Sequence, residues 1–187
     1  RVVLAWPSPA LFTDGDPALD AAYHLLSDAH RGRLVRRLVT EGRLATDVSA
    51  RQRSSALGSQ FEIEATVAEG KTPEEVLAAI DEELEKLKAT PLPDAELSLV
   101  QKELLRNTAW SGETLQGRAA QLGYFQHHKG DPSFVNTYLA SYAALTPSEV
   151  QRVATAVLSS KKRVVAVVTP NGATLKWKLV DGVKVFH

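Results

Sequence analysis

Residues 33–67 read RLVRRLVTEGRLATDVSARQRSSALGSQFEIEATV. In the first part Leu34, Val35, Leu38 and Val39 recur at helical spacing, while Arg33, Arg36 and Arg37 fall on the other side. This pattern predicts an amphipathic helix over about Arg33 to Glu41, with its apolar stripe inward and its arginines facing water. Gly42 is the expected stop. Two strands follow, separated near Ala56-Leu57-Gly58. The second alternates strictly, Phe61, Ile63, Ala65 and Val67 against Glu62, Glu64 and Thr66, which predicts a strand with one buried face. A helix running through a tight connection into paired strands is the nucleus of an α+β layer.

Upstream, Val2 to Trp6 reads as a strand ended by Pro7-Ser8-Pro9, because proline has no N–H for a ladder. Asp16-Pro17 opens a helix with Leu19, Ala22, Tyr23 and Leu26 on one face. Downstream, Thr72-Pro73-Glu74-Glu75 is a capping box ahead of the stripe Val76, Ile80, Leu84, Leu87. A long helical pattern runs from Leu97 toward Leu122, interrupted at Ser111-Gly112, and further helices open near Asp131-Pro132 and Thr146-Pro147. Arg163 to Thr169 is a β-branched run that predicts a strand buried on both faces. Near the end, Leu175, Trp177, Leu179 and Val183, Val185 flank Asp181-Gly182, a dipeptide suited to a type I′ hairpin turn. The expected architecture is α+β, a largely antiparallel sheet with helices on one face. The expected division is a domain over 1–170 with a hairpin extension over 171–187 packed on it.

A chain of 187 residues, 44% hydrophobic, has enough apolar surface for one core. Its 22 basic and 22 acidic residues cancel, which gives no global charge to draw it to nucleic acid or to a membrane surface. The signs are segregated, however. Seven arginines lie between Arg31 and Arg53 against Glu41 and Asp47, a local excess of five positive charges, and the sign reverses from Glu62 to Glu103. The basic stretch suits a solvated helix face, the wall of a peptide cleft or a polyanion patch; aromatic stacking residues, which single-stranded nucleic acid would require, do not occur from Arg31 to Gln60. There is no cysteine, and no stretch of eighteen apolar residues or signal peptide is visible. With no methionine and an opening strand at Arg1, the sequence is expected to be a piece of a longer polypeptide.

Zinc hydrolysis on a helix needs two histidines four residues apart beside a glutamate. His24, His30, His127, His128 and His187 contain no such pair. Neither a metal site nor a catalytic group is expected within the chain.

The pattern Gly32-Arg33-Leu34, Leu38-Val39, Glu41, Leu44-Ala45, Val48, Ala50, then Gly58-Ser59, Phe61, Ile63, Ala65, resembles the second, non-metal-binding domain of pitrilysin/insulinase zinc peptidases, whose zinc domain carries an inverted HxxEH motif. The downstream run Glu96-Leu97, Lys102, Gly117-Arg118-Ala119, Leu122, Gly130-Asp131-Pro132, Tyr138, Tyr142, Leu145-Thr146-Pro147, Val150 and Ala154 is similar to the rest of that domain, and the likeness spans about Val2 to Pro170. It implies a mitochondrial-processing-peptidase-like fold. It also implies a non-catalytic domain forming the cleft wall opposite a separate HxxEH domain, in the same polypeptide or a partner subunit, and helping to bind peptide. Zinc is then expected only in that partner domain.

Many competent members carry an arginine on the helix and a tyrosine seven residues later. The matching positions here are Val39 and Thr46, and no tyrosine occurs between Tyr23 and Tyr124. The expected peptide-contacting residues are Arg37, Arg43 and Thr46. The alternative is a structural or assembly module that kept the fold without proteolysis. The family suggests the periplasm or cell envelope and leaves a homodimer open; nucleic acid and membrane insertion are not expected.

Overall fold

The computed structural model describes residues 1–169, 177–180 and 183–186. Its centre is a four-stranded antiparallel sheet of β1 (Val2–Ser8), β2 (Ala45–Arg53), β3 (Ser59–Val67) and β4 (Val164–Val167), in the order β2-β3-β1-β4. The alternation read in residues 61–67 sets the register. Leu4 lies opposite Ile63 and Trp6 opposite Phe61, while Glu62 and Glu64 face away beside Ala5 and Val3. β1 runs on through Pro7 to Ser8, further than proline suggests. Past its last β4 partner at Ala5, β1 has a single neighbour, the edge setting in which a ladder tolerates proline.

The helices are α1 (Asp16–Ser27), α2 (Pro73–Ala89), α3 (Asp94–Ser111), α4 (Leu115–Lys129), α5 (Phe134–Ala143) and α6 (Pro147–Val157), with a π-helix over Val35–Glu41. The α2 capping box is complete, Thr72 accepting from the Glu75 N–H and Glu75 from the Thr72 N–H. α3 ends at Gly112, where the break is expected. Leu19 and Leu26 of α1, Leu34 and Leu38, and Ile80, Leu84 and Leu87 of α2 close over Leu4, Trp6, Phe61 and Ile63 in one core. A leucine or isoleucine fully buried in this way contributes roughly 1.5–3 kcal/mol by leaving water.

Two expectations change. β4 is an edge strand rather than one buried on both faces: Val164 is 70% exposed and Val167 46%. A β-branched run records the preference for extended backbone but not the number of neighbours the strand will have. Arg33 and Arg37 do not point freely into water, as the ion pairs below show. In the tail, β5 (Trp177–Val180) and β6 (Val183–Phe186) pair antiparallel. The Asp181-Gly182 turn, Leu175 and the boundary at 170/171 lie outside the described residues.

Candidate functional site

The helix after Arg33 is wound with one residue too many. The Gly42 N–H donates to the Arg37 carbonyl, five residues back, at 3.2 Å, and the Leu44 N–H reaches the Leu38 carbonyl at 2.8 Å. π-turns are rare and gather at functional sites. Gly42 serves close approach here, not left-handed backbone, since its φ is −78° and a Cβ on it would lie 2.4 Å from the Arg37 carbonyl oxygen. The left-handed residue is Arg43, φ 47°. Gly42→Ala is therefore expected to cost about 1–2 kcal/mol by forcing the π-turn apart. Urea unfolding reads this, and an unchanged midpoint would show that the turn yields freely.

Val39 and Thr46 come together. With Val35, Asp47 and Val48 they line a shallow pocket of about 310 Å³ between the π-helix and the start of β2. Thr46 is exposed at a β-bulge between Ala45 and Asp47, and its hydroxyl donates to the Thr66 carbonyl at 3.4 Å. Val39 packs against the core. Ser27 and Ala29 complete the wall, which mixes apolar side chains with the hydroxyls of Ser27 and Thr46 and the carboxylate of Asp47; neither Arg37 nor Arg43 lines it. It holds no phenol to polarise a developing oxyanion, and its two hydroxyls already donate to backbone carbonyls, Ser27 to Tyr23 and Thr46 to Thr66.

The basic stretch folds against the acidic one. Arg33 makes a two-pronged pair with Glu96 at 3.0 and 2.6 Å. Arg37 reaches Glu82 at 3.0 Å, Arg31 reaches Glu103 at 3.3 Å and Arg53 reaches Glu62 at 3.2 Å. Hydrogen bonds from Lys86 and Arg37 hold the Glu82 carboxyl below its ordinary range.

A second group of polar and aromatic residues gathers at the opposite end of the sheet. Asp16, 1% exposed at the start of α1, accepts from the Phe12 N–H at 3.0 Å, the Ser54 hydroxyl at 2.5 Å and the Gln52 amide at 3.2 Å. These bonds hold Phe12 at φ 62°, an uncommon conformation for a bulky side chain. Its ring enters a cluster with Tyr124, Phe125, Phe134 and Tyr138. One turn along α1, Asp20 accepts from the Tyr142 hydroxyl, which also meets the Tyr138 hydroxyl, both at 2.5 Å. Burial pushes the Asp20 carboxyl up to about 7, with Tyr142 opposing and Asp16 adding to the shift. Burial, Asp20 and Glu103 push the Tyr23 phenol up to about 12. This group is missed when α1 is read by its leucines alone. The available signal was Asp16 and Asp20, one turn apart on the apolar face, matched by Tyr138 and Tyr142 at the same interval.

Zinc does not fit these residues. Among the described residues no three of His, Cys, Asp and Glu lie together where they could hold a metal ion. His127 and His128 are adjacent on α4, and His24 stacks on Tyr23. No described helix is long and apolar enough to cross a membrane.

The fold recurs in solved structures. An inactive peptidase domain from Bordetella parapertussis matches with TM-score 0.81 at 22% identity, over 91% of this chain and 90% of its own. A protease from Helicobacter pylori matches with TM-score 0.79 at 24% identity, over 88% of this chain but only 40% of its own. A periplasmic protease from Escherichia coli matches with TM-score 0.67 at 18% identity, over 84% of this chain and 18% of its own. The chain thus spans less than half the length of those two proteases. No curated protein matches in sequence. The family model described as the peptidase M16 inactive domain matches residues 1–104, from β1 into α3 and across the whole Val39–Thr46 pocket. Since that is more than half of the 187 residues, the chain belongs to the peptidase M16 inactive-domain family.

Proposed function

We propose that this domain is the non-catalytic wall of a zinc peptidase, closing a cleft opposite a separate zinc-binding domain and helping to hold the peptide. The observation that carries the reading is the inactive-domain match over 1–104, which contains the Val39–Thr46 pocket, lined by no arginine and no tyrosine where many competent members of the family carry that pair. The partner is the zinc domain, in the same polypeptide or in a second subunit, and its zinc supplies the Lewis acid and the activated water. In this reading Thr46 borders the peptide path, with Arg43 beside it at the left-handed turn and Arg37 braced by Glu82. Closure of one domain over the other would exclude water and position the substrate. The periplasmic relative from Escherichia coli supports a compartment in the cell envelope.

Metal content and peptide cleavage of the chain, alone and mixed with a zinc-bearing M16 domain, test the proposal. The expected result is no stoichiometric zinc and no cleavage alone, with EDTA-sensitive cleavage faster in the mixture than with the zinc domain by itself. Stoichiometric zinc with EDTA-sensitive cleavage by the isolated chain would overturn it. A mixture no faster than the zinc domain alone would favour a structural module that kept the fold without proteolysis.

A further inference from the structure

Between the Phe12 loop and α5 lies a pocket of about 270 Å³, at the far end of the sheet from Thr46. The seven residue-to-residue steps of β2 from Thr46 to Arg53 put roughly 23 Å between the two ends. The pocket's volume is just under the roughly 300–1,000 Å³ of small-molecule sites, and suits one long side chain. Its walls are Phe12, Phe134, Tyr138 and Leu145, and both charged residues lining it, Asp14 and Glu149, are acidic. The rings already meet a cation: the Lys129 ammonium lies 5.2 Å over Phe12 and 5.0 Å over Phe134. Two other charges bear on the mouth. Arg152 pairs with the exposed Asp14 at 3.2 Å, and the buried Asp16 already accepts from three donors.

We infer that this pocket binds the side chain of a lysine or arginine in a peptide, its methylene stem against Phe12, Tyr138 and Leu145 and its charge between Asp14 and Glu149. The shape and charge serve different parts of one side chain. Aromatic and aliphatic walls cover the stem, ring faces attract a cation, and carboxylates at the mouth neutralise what the stem carries. The left-handed Phe12, held by the buried Asp16, keeps one wall in place before the ligand arrives. The inference concerns a subsite remote from the Val39–Thr46 pocket and stands whether or not a zinc domain is present.

The test titrates the full 187-residue chain with Nα-acetyl-lysine methylamide and its uncharged counterpart Nα-acetyl-norleucine methylamide, following the aromatic NMR signals of Phe12, Phe134 and Tyr138. The expected result is saturable shifts at those rings, with the lysine probe bound about tenfold more tightly, the combined effect of a cation–π contact and a half-buried ion pair. Glu149→Gln and Asp14→Asn should each reduce that preference while leaving norleucine binding unchanged. Absence of saturable shifts, shifts confined to other residues, or equal affinity for the two probes would overturn the inference, as would a lysine preference that survives both substitutions.

Discussion

Replacing Asp16 by alanine is expected to cost about 3–5 kcal/mol of stability, since hydrogen bonds to a charged acceptor contribute roughly 1.5–3 kcal/mol each and do not add in full. Three donors converge on this carboxylate: the Phe12 N–H, the Ser54 hydroxyl and the Gln52 amide. Removing it leaves them facing a buried space and releases the strain at Phe12, a left-handed residue whose conformation costs of order 1–3 kcal/mol. The loop carrying Phe12 is otherwise tied through the Leu11 N–H to the Ser55 carbonyl. Asp16→Asn keeps an acceptor oxygen but turns an NH₂ toward the donors, so about half the loss is expected. Urea unfolding of both variants gives the numbers; a loss below about 1 kcal/mol for alanine would show that the loop holds itself.

Asp20→Asn is expected to stabilise the protein, with a pH dependence that identifies the cause. Burial raises the Asp20 carboxyl from 3.8 to about 7 in the folded chain. The folded state therefore holds the proton more tightly than the unfolded state. This contribution is complete below about pH 4 and is lost as pH rises through 7. The ceiling from such a shift is about 4 kcal/mol, and roughly 2 kcal/mol is expected because the carboxyl borders the shallow pocket shared with Tyr23, Arg51, Gln52 and Arg53. An amide avoids the ionisation and still accepts from Tyr142. The variant should gain about 2 kcal/mol above pH 8 and nothing near pH 4. The groups facing Asp20 are Asp16 and Tyr23 on its own helix, Tyr124 on α4, Tyr138 and Tyr142 on α5, and Arg51 and Arg53 on β2. A gain of equal size at both pH values would assign the effect to packing.

The parts of the fold legible in the sequence are those governed by periodicity and local hydrogen bonding. Phe61 to Val67 alternates because one face of β3 is covered, and Thr72 to Glu75 caps α2 by bonds that span only three residues. The π-turn is not legible because an inserted residue leaves Leu34 and Leu38 one turn apart, as in an α-helix, and it shows only in the backbone hydrogen bonds, such as that from Gly42 to Arg37. The burial of β4 was misread because its neighbours come from elsewhere in the chain. At the candidate sites, Val39 and Thr46 were legible as a pair by resemblance. The aromatic group was not, because Phe12 comes from a loop, Tyr124 and Phe125 from α4, and Phe134 and Tyr138 from α5. Each looks ordinary within its own segment, and only the tertiary fold makes them neighbours.

The pairing of Arg31, Arg33, Arg37 and Arg53 with Glu103, Glu96, Glu82 and Glu62 also bears on how ligands arrive. A chain that would present two charged lobes if stretched out folds into a body whose opposite charges lie within about 3 Å of each other at these pairs. Beyond a screening length of about 8 Å in physiological salt such pairs project almost no field. On the proposed reading, a peptide approaching these pairs is neither drawn in nor turned from a distance by them. Its arrival is set by diffusion, and selection begins only at contact.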